Sequence, residues 1–174
     1  MSLDSLQQLF VEELKDIYSA EKQILTALPR MAKAADSDDL REAFTKHLKE
    51  TEGQVRRLDQ IFRELGATPR GKKCKGMEGL LAEGKEILGE EGEPPVLDAA
   101  LIAAAQRVEH YEIAAYGCLR TYAQILGYSE AAELLQETLE EEERADETLT
   151  TVGEKGVNSA AAALGGEEDE DEVR

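Results

Sequence analysis

This chain of 174 residues lacks tryptophan and has few aromatic residues, prolines, cysteines and histidines. Its two cysteines, Cys74 and Cys118, are too few for a disulfide framework or a cysteine-rich zinc site. No apolar run approaches the roughly 20 residues that a membrane-spanning helix requires. The first residues show no basic stretch followed by an apolar one, so we predict no signal peptide. These absences favour a protein of the reducing cytoplasm.

Alanine, leucine and glutamate are abundant instead, which is typical of an all-α protein. The chain has 38 Asp and Glu residues against 20 Lys and Arg residues, which gives a formal net charge of −18. Such a surface repels nucleic acid and anionic membranes, so we predict neither as a partner. It suits a cation-binding protein, but a solvated acidic surface explains most of this charge.

Apolar residues recur at three- and four-residue steps in four long segments, which predicts four amphipathic helices. We expect them at about residues 4–35, 39–65, 98–127 and 129–153, with Ser2 or Asp4 capping the first. Residues 67–96 are rich in Gly and Pro and contain one short amphipathic stretch. A connection of that length can run the length of a bundle. The pattern therefore predicts an antiparallel four-helix bundle of the ferritin-like type, with a long crossover between helices 2 and 3.

Two further segments are expected to lie outside the bundle core. The bundle should occupy residues 1–158, and residues 159–174 form an Ala-rich and then acidic tail that we predict to be disordered. The basic stretch at residues 70–75 includes Cys74. We interpret it as a solvated loop, in preference to an anion site or a thiol activated by neighbouring cations.

Acidic side chains lie on the predicted buried faces of two helices. Glu109 and Glu112 fall within the apolar stripe of the third helix, and Glu21 lies on the stripe of the first. A buried carboxylate is costly unless a positive group meets it. The pattern leaves two readings open, namely lysine or arginine partners or a bound cation.

The second and fourth helices also carry polar residues halfway along their apolar faces. His47 interrupts the second face, with Glu50 on its shoulder and Gln54 at one side. On the fourth helix, Glu141 and Glu142 flank the inward direction. Asp146, four residues after Glu142, can share its site. Because helices packed side by side bring their midpoints together, these groups should meet Glu109 and Glu112.

Such a constellation predicts a dinuclear metal site. In di-metal carboxylate bundles, two helices each give one Glu and the other two each give a Glu-x-x-His pair. Oxygen ligands with some imidazole suit iron or manganese. This chain departs from the pattern, because Gly53 and Arg144 stand where histidines would follow Glu50 and Glu141. His110 points away from the stripe, so the site would be nearly all carboxylate.

Several segments resemble those of the YciF/YciE-type stress proteins, a branch of the ferritin-like superfamily. The resemblance extends to about residue 158 and rests on YSAEKQ at 18–23, HLKET at 47–51, GQV at 53–55, MEGL at 77–80, DAALIAAAQ at 98–106, VEHYEIA at 108–114, LGY at 126–128 and ETLEEE at 137–142. It implies a cytoplasmic homodimer with a dinuclear metal site and a role in the stress response. The helix with Glu109 and Glu112 is similar to the Glu-x-x-Glu helix of rubrerythrin.

The ligands that the resemblance implies are Glu21, Glu50, Glu109, Glu112 and Glu142 or Glu141. His47, Gln54 or Asp146 would compensate for the two missing histidines. Three hypotheses follow: a metal-binding protein with oxidase or peroxidase-type activity, a structural or interaction protein on the same scaffold, and a cage-forming iron store. No feature of the sequence argues for a cage.

Overall fold

The four predicted helices form in a computed structural model that describes residues 3–164. Within that range the chain contains helices and no strands. Its helices are α1 (Leu6–Ala34), α2 (Asp38–Glu64), α3 (Lys75–Ile87), α4 (Pro94–Leu126), α5 (Ser129–Val152) and α6 (Asn158–Ala163). The long helices α1, α2, α4 and α5 are the four predicted from periodicity, and α3 is the short amphipathic stretch of the crossover.

Local capping chemistry places the helix ends, in some cases away from the predicted residues. Ser5, rather than Ser2 or Asp4, caps α1 by accepting a hydrogen bond from the N–H of Gln8. The helix α4 begins at Pro94, four residues before the predicted start at residue 98. Proline is tolerated there because the first turn of a helix needs no N–H donor from it.

Contacts along α1 and α4 show that these helices run in opposite directions. Gln7, near the start of α1, accepts a hydrogen bond from Tyr128, just beyond the end of α4. At the other end, Asp98 accepts hydrogen bonds from the N–H groups of Asp36 and Ser37, in the turn between α1 and α2. The short turn also makes α2 antiparallel to α1, so α2 and α4 point the same way.

Because α2 and α4 are parallel, the chain must return along the whole bundle between them, and residues 65–93 do so. This arrangement confirms the predicted ferritin-like bundle with its crossover. Asp98, expected only to start a helix, is 2% exposed and ties the start of α4 to the turn between α1 and α2.

The crossover is anchored on the bundle at Cys74, so the expectation of a solvated loop is wrong at this residue. Cys74 is fully buried, and its Sγ lies 3.0 Å from the Tyr111 hydroxyl. That hydroxyl donates to Asp16 at 2.7 Å. Burial raises the pKa of the Cys74 thiol, and hydrogen bonding to Asp16 raises it further. The thiol is therefore not activated.

The chain remains helical beyond Gly153, where the sequence analysis expected the fourth helix to end. Gly153–Val157 forms a π-helical turn, and α6 follows it directly. Val157 is buried, so this turn packs on the core. The predicted acidic tail at residues 167–174 lies outside the described residues. Among residues 3–164, no helix is both long and apolar enough to cross a membrane.

Candidate metal centre

Four buried side chains from three helices converge inside the bundle. They are His47 of α2, Glu109 and Glu112 of α4, and Glu142 of α5. One ligand atom of each lies within 4.8 Å of the others. The imidazole Nε2 of His47 is 3.5 Å from Glu109 and 3.7 Å from Glu142. Glu109 and Glu112 face the same pocket because they are one helical turn apart.

Glu21 approaches the same pocket from α1, so all four bundle helices contribute. It is fully buried, and its Oε1 accepts a hydrogen bond from the hydroxyl of Tyr116. Its charge interacts with those of Glu142 and His47, and its carboxyl faces that of Glu112. The predicted coincidence in level of Glu21, Glu109 and Glu112 is therefore present in the fold.

The buried acids have few partners within the described protein. No lysine or arginine among residues 3–164 makes an ion pair with Glu21, Glu109, Glu112 or Glu142. Both oxygens of Glu112, and one oxygen each of Glu21, Glu109 and Glu142, accept no hydrogen bond from a described donor. Both ring nitrogens of His47 are also without one. Of the two readings left open by the sequence, pairing with lysine or arginine does not hold for these four acids.

Burial and mutual repulsion make the carboxyls poor acids. Burial raises the pKa of Glu21 to about 8, and the charge of Glu142 adds to this effect. Burial likewise raises the pKa of Glu109 to about 7. The pKa values of Glu112 and Glu142 are also raised, again chiefly by burial. At neutral pH the metal-free pocket therefore retains protons that a bound cation would displace.

Two opposing effects act on the pKa of His47. Burial by itself lowers the pKa of its imidazole, but the charges of Glu142, Glu21 and Glu50 outweigh burial and raise it. The metal-free pocket thus stabilises a positive charge on the ring. A divalent cation would satisfy the same carboxylates more completely, and it would require the neutral ring as its ligand.

The three remaining predicted ligands lie at the edge of the pocket. Glu50 is 21% exposed, with Lys46 at 3.5 Å and the Nδ1 of His47 at 3.7 Å. Asp146 accepts a hydrogen bond from Gln106 and lies 3.4 Å from the exposed His110. The structure does not bring Asp146 into the buried cluster.

Glu141 is the predicted ligand with a competing partner. Its oxygens accept hydrogen bonds from the guanidinium of Arg57 at 2.6 and 2.8 Å. The neighbouring Glu142 points into the pocket and is fully buried. Arg57 of α2 therefore holds Glu141 at the edge of the core, while Glu142 faces the buried cluster.

Two polar side chains support the carboxylates of the site by hydrogen bonds. Gln54, named above as a residue that would compensate for a missing histidine, is fully buried and donates to Glu142 and, at 3.1 Å, to Glu141. Tyr116, which sequence reasoning did not assign to the site, donates to Glu21. The signal was available in spacing, since residue 54 follows His47 by two helical turns and residue 116 follows Glu112 by about one.

The donor set fits a transition-metal cation. Carboxylate oxygens with one imidazole nitrogen suit iron or manganese. The unsatisfied oxygens described above are the groups that a cation would coordinate. A small opening lined by Lys46, Glu50 and Thr148 adjoins His47 and Glu109, so the pocket lies close to the surface.

Comparison with known proteins places the chain among named relatives. The family described as "Domain of unknown function (DUF892)" matches residues 5–162. The chain is 47% identical over 162 residues to protein YciF of Escherichia coli (strain K12), which covers 92% of this chain and 98% of that protein. The crystal structure of the E. coli stress protein YciF superposes with a TM-score of 0.86, covering 90% of this chain and 99% of that one.

Two further solved structures share the fold. A protein of Rhodopseudomonas palustris named YcfI, for which a structural role has been suggested, is 44% identical with a TM-score of 0.82. The match covers 87% of this chain and 98% of that chain. A protein of Xanthomonas campestris pv. campestris is 19% identical with a TM-score of 0.71, covering 92% of this chain and 96% of that chain. At that identity, the last likeness concerns the fold alone.

Proposed function

Because this chain belongs to the DUF892 family of YciF-type stress proteins, and because it buries four acids around one histidine without lysine or arginine partners among the described residues, we propose that it binds a dinuclear metal centre in the bundle core. The observation that carries the proposal is the absence of lysine or arginine partners for these acids among the described residues. Carboxylates buried in this way are stabilised by a cation and are otherwise costly.

The residues that would hold the metals are Glu21, His47, Glu109, Glu112 and Glu142, with Glu50 at the exposed edge. When bound, iron or manganese would supply Lewis acidity and one-electron redox change, which suit an oxidase or peroxidase-type reaction.

The chain's own residues would prepare the pocket for the metals. The Tyr116 hydroxyl fixes the orientation of Glu21, and the Gln54 amide does the same for Glu142. Such outer hydrogen bonds hold ligating carboxylates in place. Protons held on Glu21 and Glu109 would leave as metal enters, so binding should release protons and strengthen as pH rises.

Elemental analysis of protein prepared with iron or manganese tests the proposal, together with a peroxide-consumption assay on the same samples. We expect about two metal ions per chain, as dinuclear carboxylate bundles bind. Glu112→Ala should lose most of this metal while keeping its helical circular dichroism. The matched control Glu143→Ala removes an exposed acid of α5 and should bind as much as the parent. Equal metal content in both variants would show that the site is misplaced.

One observation favours the alternative, a structural protein that kept the bundle without the chemistry. Gly53 and Arg144 occupy the positions at which rubrerythrin-like and bacterioferritin-like sites carry histidines, and Gln54 occupies one oxygen of Glu142. A chain that retains less than one metal ion per protomer, and consumes no peroxide, would support this alternative. The cytoplasmic homodimer is likewise a proposal that follows from the family resemblance, and light scattering tests its stoichiometry.

A further inference from the structure

A groove of about 520 Å³ lies between α1 and the crossover helix α3, apart from the metal centre. It exists because α3 packs mainly on α4. Gly76 lies so close to the Tyr111 ring that an added Cβ would be 2.8 Å from it, and an added Cβ at Gly84 would make an ordinary van der Waals contact with Ala104 at 3.9 Å. The side of α3 that faces α1 therefore remains partly open. A groove of this volume is in the range of small-molecule sites.

The two helices that form the groove are parallel. Cys74, just before α3, meets Ser19 through its N–H and Gln23 through its carbonyl. The lining then runs from Ser19 to Met31 along α1, a rise of about 18 Å at 1.5 Å per residue. Between the two ends the lining is largely apolar and includes Met31, Leu81 and Leu88. The groove is thus elongated, with an apolar floor.

All charged residues that line the groove are positive. They are Lys22 and Arg30 of α1, Lys73 before α3, and Lys85 of α3. Lys73 pairs with Glu78, which is outside the lining. Among residues 3–164, no acidic side chain forms an ion pair with Lys22, Arg30 or Lys85. In a chain with a formal net charge of −18, Lys22, Arg30 and Lys85 thus form a local positive patch next to an apolar floor.

We propose that this groove binds an anionic amphiphile, an unbranched apolar chain with a carboxylate or similar head group. The apolar floor would cover the chain, and the cations at either end would bind the head group. The proposal does not depend on the metal centre.

Isothermal titration of the full-length protein with dodecanoate tests the proposal, with dodecanol as the uncharged analogue of equal length. We expect saturable binding of one dodecanoate per chain and binding of dodecanol at least tenfold weaker. Dodecanedioate, which has a head group at each end, should bind at least as tightly as dodecanoate if both cationic ends are used. Binding of dodecanol as tight as that of dodecanoate would overturn the role of the cations.

Two double variants locate the head group. Lys22→Gln/Lys73→Gln removes the cations at one end, and Arg30→Gln/Lys85→Gln removes those at the other. We expect at least one of them to weaken dodecanoate binding tenfold or more. The control Lys49→Gln/Arg56→Gln removes the same charge from the exposed face of α2 and should leave the affinity within twofold. Equal weakening in the control would show a non-specific effect of net charge and would refute the site.

A third variant tests the apolar floor. Ala82 lines the groove and is exposed, so Ala82→Trp can fill the space without disturbing the core. It should abolish dodecanoate binding while preserving the melting midpoint, and unchanged binding would refute the location. Removal of residues 165–174 should leave the affinity unchanged. If dodecanoate bound only after that removal, the acidic end of the chain itself would be the occupant, and the proposal would be wrong.

Discussion

Replacement of Glu112 by leucine should have opposite effects on the metal-free and metal-loaded protein. Glu112 is fully buried, and neither of its oxygens accepts a hydrogen bond from a described donor. Burial, with the charges of Glu142 and Glu21, raises the pKa of its carboxyl well above the ordinary value. Without metal, the folded protein therefore holds a proton on this group more tightly than the unfolded chain does.

The size of the effect follows from that difference. Each unit by which the folded-state pKa exceeds the ordinary value of 4.5 corresponds to about 1.4 kcal/mol at a pH above both values. The raised pKa of Glu112 thus lowers the free energy of unfolding at neutral pH. Leucine removes this destabilisation and adds apolar contact at a similar side-chain volume. For a chain of this length, we expect Glu112→Leu to raise the metal-free melting midpoint by roughly 2–4 °C for each kcal/mol recovered.

Scanning calorimetry in the presence of a chelator, and then with saturating iron or manganese, measures both effects. Metal at about 100 times its dissociation constant should stabilise the parent by about 2.7 kcal/mol and leave Glu112→Leu unchanged. Glu143→Leu, at an exposed position of α5, should shift the midpoint little in either state. If metal-free Glu112→Leu melted below the parent, the carboxyl would be stabilising the fold and the reasoning would be wrong.

Three further predictions use the same measurements. Burial raises the pKa of Glu109 to about 7 and that of Glu21 to about 8, so the folded metal-free protein binds protons that the unfolded chain has released. Its melting temperature should therefore decrease as the pH is raised from about 5 to about 8. An increase over that range would contradict the assignment. Glu142→Gln should remove most bound metal in elemental analysis, whereas Glu141→Gln, whose carboxylate already pairs with an arginine, should retain it; the reverse outcome would place the wrong acid in the site. Removal of residues 167–174 should leave the midpoint unchanged, and a drop of more than a few degrees would show that the tail packs on the bundle.

The fold was accessible from the sequence because each long helix carries a continuous apolar stripe, and periodicity reports that stripe directly. The crossover followed from length alone, since about thirty residues rich in Gly and Pro are too many for a hairpin. Helix ends were less accessible. The helix α4 begins at Pro94 because proline fits the first turn of a helix. The periodicity of apolar residues does not show that the helix extends beyond the apolar stripe to this proline.

The candidate site was only partly predictable, because its details depend on side chains from different helices. Glu109 and Glu112 lie in the centre of an apolar stripe, so their burial could be inferred. The adjacent residues Glu141 and Glu142 differ by about 100° around α5, and both flank the inward direction. The two acids differ in that Arg57 of α2 pairs with Glu141. This contact between helices depends on packing and cannot be read from the spacing of residues along one helix.

The use of Arg57 also bears on which function is favoured. The chain directs this arginine to Glu141 at the edge of the core, while Glu142, one residue away, remains without a lysine or arginine among the described residues. A scaffold selected for stability alone would neutralise the inner acids or replace them with apolar residues, which is often stabilising. Proteins commonly depart from stabilising patterns, such as keeping charged groups out of the core, at their functional sites. Costly buried carboxylates around His47, without lysine or arginine partners among the described residues, therefore favour the metal-binding proposal over a purely structural role.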